Sequence, residues 1–287
     1  MVRAISYLIG LAFVGVLAIA LFFTVKDAIQ NPAPEDAAHE FRLHPENIGL
    51  ASNGFFGKFD RRQVQRGFQV YKEVCSACHS LKYVSFRDLQ RIGYSEAEVK
   101  AIASQWSAEQ PSVNPDTGEA ATRKNTPADR FPSPYANEVA ARAANNNALP
   151  PDLSLMTKAR EDGTNYVHAL LMGYREQAGY KNEKGEELLK KFPDAATPAG
   201  LYFNPVYPNL NIAMPPPLLQ DGQVTYSDGT NATKDQMARD VTAFLTWTAE
   251  PNLEARHGAG LAAILFLVIF CFLAWGAYQN VWRGVKH

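Results

Sequence analysis

Two stretches of the chain abandon the alternation of polar and apolar positions altogether. Ile5 to Val25 reads ISYLIGLAFVGVLAIALFFTV and Gly258 to Tyr278 reads GAGLAAILFLVIFCFLAWGAY, each 21 residues without a charge. An α-helix needs about 20 apolar residues to cross a bilayer, so both runs predict transmembrane helices. Arg3 precedes the first run and KDAIQNPAPED follows it, with no small-x-small cleavage site behind a short apolar core. We read residues 1–27 as a retained signal anchor, with a removed signal peptide as the alternative. The second span, residues 258–279, ends among Trp275, Tyr278 and Trp282, rings that favour the headgroup region, and a tail (280–287) carries Arg283, Lys286 and His287. Positive residues beside both spans predict cytoplasmic termini, with everything between them on the outer, periplasmic side of a bacterial inner membrane.

Between the spans the apolar positions fall at helical intervals. In RRQVQRGFQVYKEV (61–74), Val64, Phe68, Tyr71 and Val74 share one face. Short helices are expected at SEAEVKAIASQW (95–106), NEVAARAAN (137–145) and TNYVHALLMGY (164–174), the last on Val167, Leu170 and Leu171. TKDQMARDVTAFLTWTAEP opens with Thr233 and Gln236 in capping-box register and stripes Met237, Val241, Phe244, Leu245 and Trp247 before Pro251 stops it. Residues 28–50 read as a linker or surface arm, 251–257 as a second linker, and 105–150, rich in Pro, Asn, Asp and Ser, as a long irregular excursion. With no alternating strand pattern of any length and no internal repeat, the domain at 51–250 is expected to be mostly α with long loops.

Charge changes this picture little. Lys and Arg total 28 against 29 Asp and Glu, so no field draws the chain as a whole toward nucleic acid. Cysteine changes it more. There are three, and Cys271 lies inside the second span, facing lipid or a neighbouring helix, so a disulfide framework is excluded. Cys75 and Cys78 stand in YKEVCSACHS with His79 directly behind. A zinc site would need a second ligand pair, and a thioredoxin-like dithiol would need a βαβ setting; neither pattern is present. C-x-x-C-H is the attachment motif of c-type haem, in which two thiols add to the vinyl groups at one edge of the macrocycle and the histidine ligates the iron. The motif assigns one covalent haem c to Cys75 and Cys78, with His79 as proximal ligand.

The distal ligand separates a carrier from a catalyst, because Met with His saturates the iron and leaves electron transfer as its main chemistry. Met172 and Met237 belong to helical apolar stripes, where methionine fills cores. Met214, 135 residues after His79, stands in NLNIAMPPPL, where three prolines hold an extended segment with no helical face to serve. It is the preferred ligand over Met156 and over the remaining histidines.

Four blocks in order, RGFQVYKEVCSACHSLKYV, ARAANNNALPPDLSLMTKARED, LYFNPVYPNLNIAMPPPL and DVTAFLTWTAEPNLEARHGAG, lead into the C-terminal span. From about residue 53 onward the chain resembles cytochrome c1, the haem subunit of the ubiquinol:cytochrome c oxidoreductase, complex III. The resemblance implies a class I c-type cytochrome-like haem domain and supports Cys75, Cys78, His79 and Met214 as haem residues. It places Arg160 at a haem propionate and Asn145, Pro150, Pro151, Tyr166, Leu170, Leu171 and Tyr207 around the haem crevice. It implies a carrier that takes one electron from the Rieske iron-sulfur protein and gives it to a cytochrome c, beside cytochrome b, in a dimeric complex that as a whole is a quinol reductase although this chain makes and breaks no bonds. A peroxidase-like haem enzyme and a tethered cytochrome serving an oxidase directly are the rivals. Asn147 stands where many relatives have glycine, which asparagine tolerates because it enters left-handed backbone geometry.

Overall fold

The computed structural model describes residues 2–31 and 36–285; Lys286 and His287, used above for topology, and part of the NPAPED segment lie outside them. In chain order come helices α1 (Val2–Gln30) and α2 (Ala37–Phe41), then α3 (Arg61–Val70) running into a π-helical turn at Tyr71–Cys75. A 3-10 helix (Phe86–Ile92), α4 (Glu96–Ser104), a hairpin of β1 (Gln110–Val113) and β2 (Ala120–Arg123), and α5 (Glu138–Ala144) follow. The second half holds α6 (Met156–Ala159), α7 (Gly163–Met172), α8 (Leu188–Lys191), a ribbon of β3 (Tyr202–Phe203) and β4 (Asn211–Ile212), α9 (Lys234–Ala249) and α10 (Leu253–Trp282). The fold is mostly helical, with two helices among the described residues long and apolar enough to cross a membrane.

The core is built where α3 crosses α9. Asp60 starts α3 by accepting from the amides of Arg62 and Gln63, which satisfies orphan donors of the first turn. Gly67 lets the two backbones meet: a Cβ built there would stand 1.9 Å from the Asp240 carbonyl oxygen and 2.7 Å from the Phe244 Cβ. Any larger residue would force the helices apart. Phe68 and Tyr71 on α3 and its π-turn pack against Phe244 with ring centroids 5.6 Å apart in both cases. Trp106, Phe131 and Phe86 close the far side of this aromatic cluster. Asp240, fully buried, is neutralised by Arg66 at 2.9 Å. A buried charge is tolerated only when paired in this way.

The predicted helices of the domain are present, and α9 buries Met237, Val241, Phe244, Leu245 and Trp247 as its stripe requires. Its capping box is only half built. Thr233 accepts from the Gln236 amide at 3.1 Å, but the Gln236 side chain reaches forward to Asp240 instead of back to the cap.

Three expectations need correction. The described part of residues 28–50 is not a surface arm: α1 runs to Gln30, Phe41 is 1% exposed beneath Leu188, Phe203 and Leu210, and Leu50 joins the main core. A lone aromatic among polar neighbours carries no periodicity, so its burial becomes visible only when its long-range partners are in place. The 251–257 linker is mostly helix, because α10 begins at Leu253 and continues through the membrane run to Trp282. At 30 residues this helix is about 45 Å long by its rise, against the ~30 Å of a hydrocarbon core. Two small ribbons occur where no strand was expected. β1 pairs β2 from Gln110↔Arg123 to Val113↔Ala120 across a turn with Gly118 at φ 73°, and β3 pairs β4 over two residues. β1 and β2 are mostly exposed, so their pairing follows the turn rather than an apolar face, whereas β3 and β4 bury Phe203 and Ile212.

Candidate haem site

The cysteine motif is delivered by the end of α3. After Val70 the backbone widens into the π-turn, with the Ser76 amide donating to the Tyr71 carbonyl at 2.8 Å; such turns cluster at functional sites. The Cys78 and His79 amides both return to the Cys75 carbonyl, at 3.2 and 2.9 Å. Both thiols and the imidazole therefore hang from one tight turn, each half-buried. Tyr71, a residue 1% exposed, donates its hydroxyl to the His79 carbonyl at 2.9 Å and ties the turn to the aromatic core.

A second segment clamps this turn. His79 Nδ1 lies 2.8 Å from the Pro151 carbonyl oxygen. A carbonyl can only accept, so Nδ1 carries the hydrogen and the Nε2 lone pair is left free to bind a metal. Burial lowers the His79 pKa against the opposing pull of that hydrogen bond, which favours the neutral, ligating imidazole. Next to Pro151, the Asp152 carboxylate accepts from Ser80 Oγ (2.8 Å), the Lys82 amide (2.7 Å) and the Ser154 amide (3.0 Å). The Leu153 amide donates to the Ser80 carbonyl at 2.9 Å. Asp152 thus carries much of the joint between the two segments, a role that sequence reading did not assign; its place in PPDLS was the available signal.

The cysteines fit covalent haem better than a thiolate metal site. Burial, with a contribution from Cys78, pushes the Cys75 thiol up to about 12. That setting penalises the thiolate that zinc would require and suits a neutral thioether. Among the described residues no group of three or more His, Cys, Asp or Glu side chains is placed to hold a metal ion. Asn145 caps α5 and donates to the Tyr135 hydroxyl at 2.9 Å, which also reaches the Cys78 thiol. Tyr135 is a further neighbour of the motif, one that no sequence signal marked. Asn146 and Asn147 take φ of 50° and 62°, so Asn147 does adopt the left-handed geometry expected of it.

The remaining candidates form a second group on α7 and the loop after β3. Tyr166 is buried, and Arg160 comes within hydrogen-bonding reach of its hydroxyl, with Tyr207 also acting on it. Burial pushes the Tyr166 hydroxyl up while Arg160 pulls it down. Leu170 and Leu171 are half-buried against the main core, and the Leu170 carbonyl accepts from the buried Asn204 at 2.9 Å. Asn204 also receives the amides of Val206 and Tyr207, holding the 204–207 turn. Met156, Met172 and Met237 all pack into the main core, whereas Met214 packs into neither apolar cluster. It stands half-buried just past β4, with its carbonyl accepting from the Tyr174 hydroxyl at 3.0 Å. Pro150 is half-buried and Pro151 exposed. No hydrogen bond or ring contact joins the His79 group directly to the Met214 group among the described residues; each is gathered separately.

The comparisons agree with this architecture. The model of the cytochrome c1 family matches residues 50–285. Cytochrome c1 of Rhodospirillum rubrum is 47% identical over 238 residues, covering 82% of this chain and 86% of the relative. A mitochondrial cytochrome c1 heme protein of Solanum tuberosum is 46% identical over 235 residues, covering 81% and 83%. The mitochondrial cytochrome b-c1 complex catalytic subunit of Candida albicans is 38% identical over 270 residues, covering 93% and 87%. With the matched region running from the start of the helical domain to the end of α10, and the cysteine motif inside it, the chain belongs to the cytochrome c1 family.

Proposed function

We propose that the chain is a membrane-anchored carrier of single electrons with one covalent haem c, taking an electron from a Rieske iron-sulfur protein and passing it to a cytochrome c. The carrying observation is the His79 imidazole, fixed through Nδ1 to Pro151 beside two half-buried thiols on one turn. Haem c, when bound, supplies an iron that alternates between two oxidation states. Cys75 and Cys78 would hold it by thioethers, and His79 would offer its free Nε2 to the iron. Met214 would supply the second ligand to the iron, its backbone steadied by Tyr174. Arg160, beside Tyr166, would pair with a propionate. Asn145, Pro150, Pro151, Leu170, Leu171 and Tyr207 narrow access of water to the crevice, which favours electron transfer over reaction with small molecules.

The names of the relatives support the wider setting. A chain of this family works within a cytochrome b-c1 complex, and we place cytochrome b and the Rieske protein beside it in a dimeric assembly. The complex is the quinol-cytochrome-c reductase; this chain's part is transfer alone. The haem domain stands on the periplasmic side, α10 crosses the membrane to a cytoplasmic C-terminus, and α1 is a second anchor. Replacing Met214 by Leu tests the carrier reading. The haem potential is expected to fall and turnover of the complex to stop, with carbon monoxide then binding the reduced protein. An unchanged potential, or carbon monoxide binding to the unmodified protein at neutral pH, would favour the haem-enzyme reading.

A further inference from the structure

Arg42 has no partner equal to its charge. It ends α2, with its amide donating to the Ala38 carbonyl at 3.2 Å. Its neighbours on both sides are pinned. Phe41 is buried under Phe203 and Leu210, and the Leu43 amide donates to the Pro205 carbonyl at 2.8 Å. Arg42 is therefore delivered to the loop that carries Tyr207. There its Nε is buried without a hydrogen-bond partner, the one charged group among the orphaned buried polar atoms of the described residues. Its charge acts on the Tyr166 hydroxyl, the same hydroxyl that Arg160 reaches.

Two guanidiniums thus converge on one tyrosine, and neither makes an ion pair with a carboxylate of the chain among the described residues. Like charges gathered at a partly buried place repel, and a buried guanidinium nitrogen left unpaired costs free energy. The arrangement is stable when an anion joins it. A haem carries two propionates, and a guanidinium is the side chain best shaped to pair with a carboxylate. We infer that Arg42 is a second cationic anchor for the propionate edge of the haem, acting with Arg160 on either side of Tyr166. This rests on the haem-carrier reading above. It also explains why the segment before the cytochrome core is packed down, since α2 then brings the residue at its end within reach of the cofactor.

A cation near the haem edge favours the reduced iron, whose complex carries one positive charge fewer. The test uses the complete complex, purified with Arg42→Gln, with Arg42→Lys, or with Arg62→Gln, which removes the same charge from the exposed start of α3. Alkaline pyridine haemochrome spectra first establish covalent haem c in each preparation; its absence from the unmodified protein would overturn the haem reading itself. Anaerobic redox titration of the haem band then reads the proposal. Arg42→Gln is expected to raise the oxidised-to-reduced ratio at a fixed ambient potential by roughly tenfold. Arg42→Lys should shift it by less than half as much, and Arg62→Gln hardly at all. The resonance Raman band of propionate bending should move in Arg42→Gln and stay in Arg62→Gln. A potential in Arg42→Gln equal to that of the unmodified protein, with haem c present, overturns the proposal. So does a shift in Arg62→Gln as large as that in Arg42→Gln. If Arg42→Gln fails to accumulate, an unmoved propionate band and potential in Arg42→Lys count equally against it.

Discussion

The two halves of the candidate site are held in different ways. On the His79 side everything is tied several times over: the Tyr71 hydroxyl to the His79 carbonyl, the imidazole to Pro151, and Asp152 to two donors across the joint, Ser80 Oγ and the Lys82 amide. On the Met214 side, the methionine packs into neither apolar cluster, and its backbone is steadied by one hydroxyl and by the stiffness of the neighbouring prolines. The first half is part of the core, so damage to it is damage to folding. In the second, Met214 itself lies outside both apolar clusters, and damage at it should appear mainly in the properties of the iron.

The contrast can be broken most severely at the crossing beneath the motif. Gly67→Ala pushes a methyl into the Asp240 carbonyl and the Phe244 side chain, and overpacking of this kind costs about 3 kcal/mol. The amount of haem-stained chain in membranes should collapse. Asp152→Ala comes next, since it leaves Ser80 Oγ and two amides without their acceptor. A loss of about 2 kcal/mol is expected, seen as a lower denaturation midpoint of the purified complex. Tyr174→Phe removes one hydroxyl from the distal side and costs about 1 kcal/mol. Its marker is a modest fall in potential, in the direction of Met214→Leu but smaller, with chain level unchanged. If Tyr174→Phe reduced chain level as much as Asp152→Ala, the two halves would not differ as argued.

The smallest effect is one of pH. The Thr230 amide and then Arg66 hold the Asp228 carboxyl down at about 2. A group whose folded-state pKa is depressed adds stability above its unfolded value, near 4, and loses it as the pH falls toward the folded one. Asp228 therefore supports the α3–α9 crossing at neutral pH and ceases to do so between about pH 4 and 2. Asp228→Asn should flatten that part of the acid-unfolding curve and leave neutral behaviour nearly unchanged.

Much of this is legible in the chain alone, though unevenly. The C-x-x-C-H turn is local chemistry, readable because the attachment reaction itself demands the spacing. The α3 and α9 stripes are readable because one face repeats every turn. Phe41 was invisible, since its burial depends on Phe203 and Leu210, about 160 residues later. Asp152 and Tyr174 were in view but mute, because a carboxylate in a loop or a tyrosine after a helix has no role until its partners arrive.

The sequence by itself determined the two spanning runs, the mostly helical domain between them, the attachment motif, and Met214 as the methionine without a helical face to fill. Only the tertiary structure decided which nitrogen of His79 is free, which segment clamps it, and which arginines converge on Tyr166. The reason is one of range. Periodicity and motif spacing are set by neighbours within a few residues, whereas a hydrogen bond to Pro151 or a charge delivered by Arg42 depends on chain segments that meet only after the core has formed.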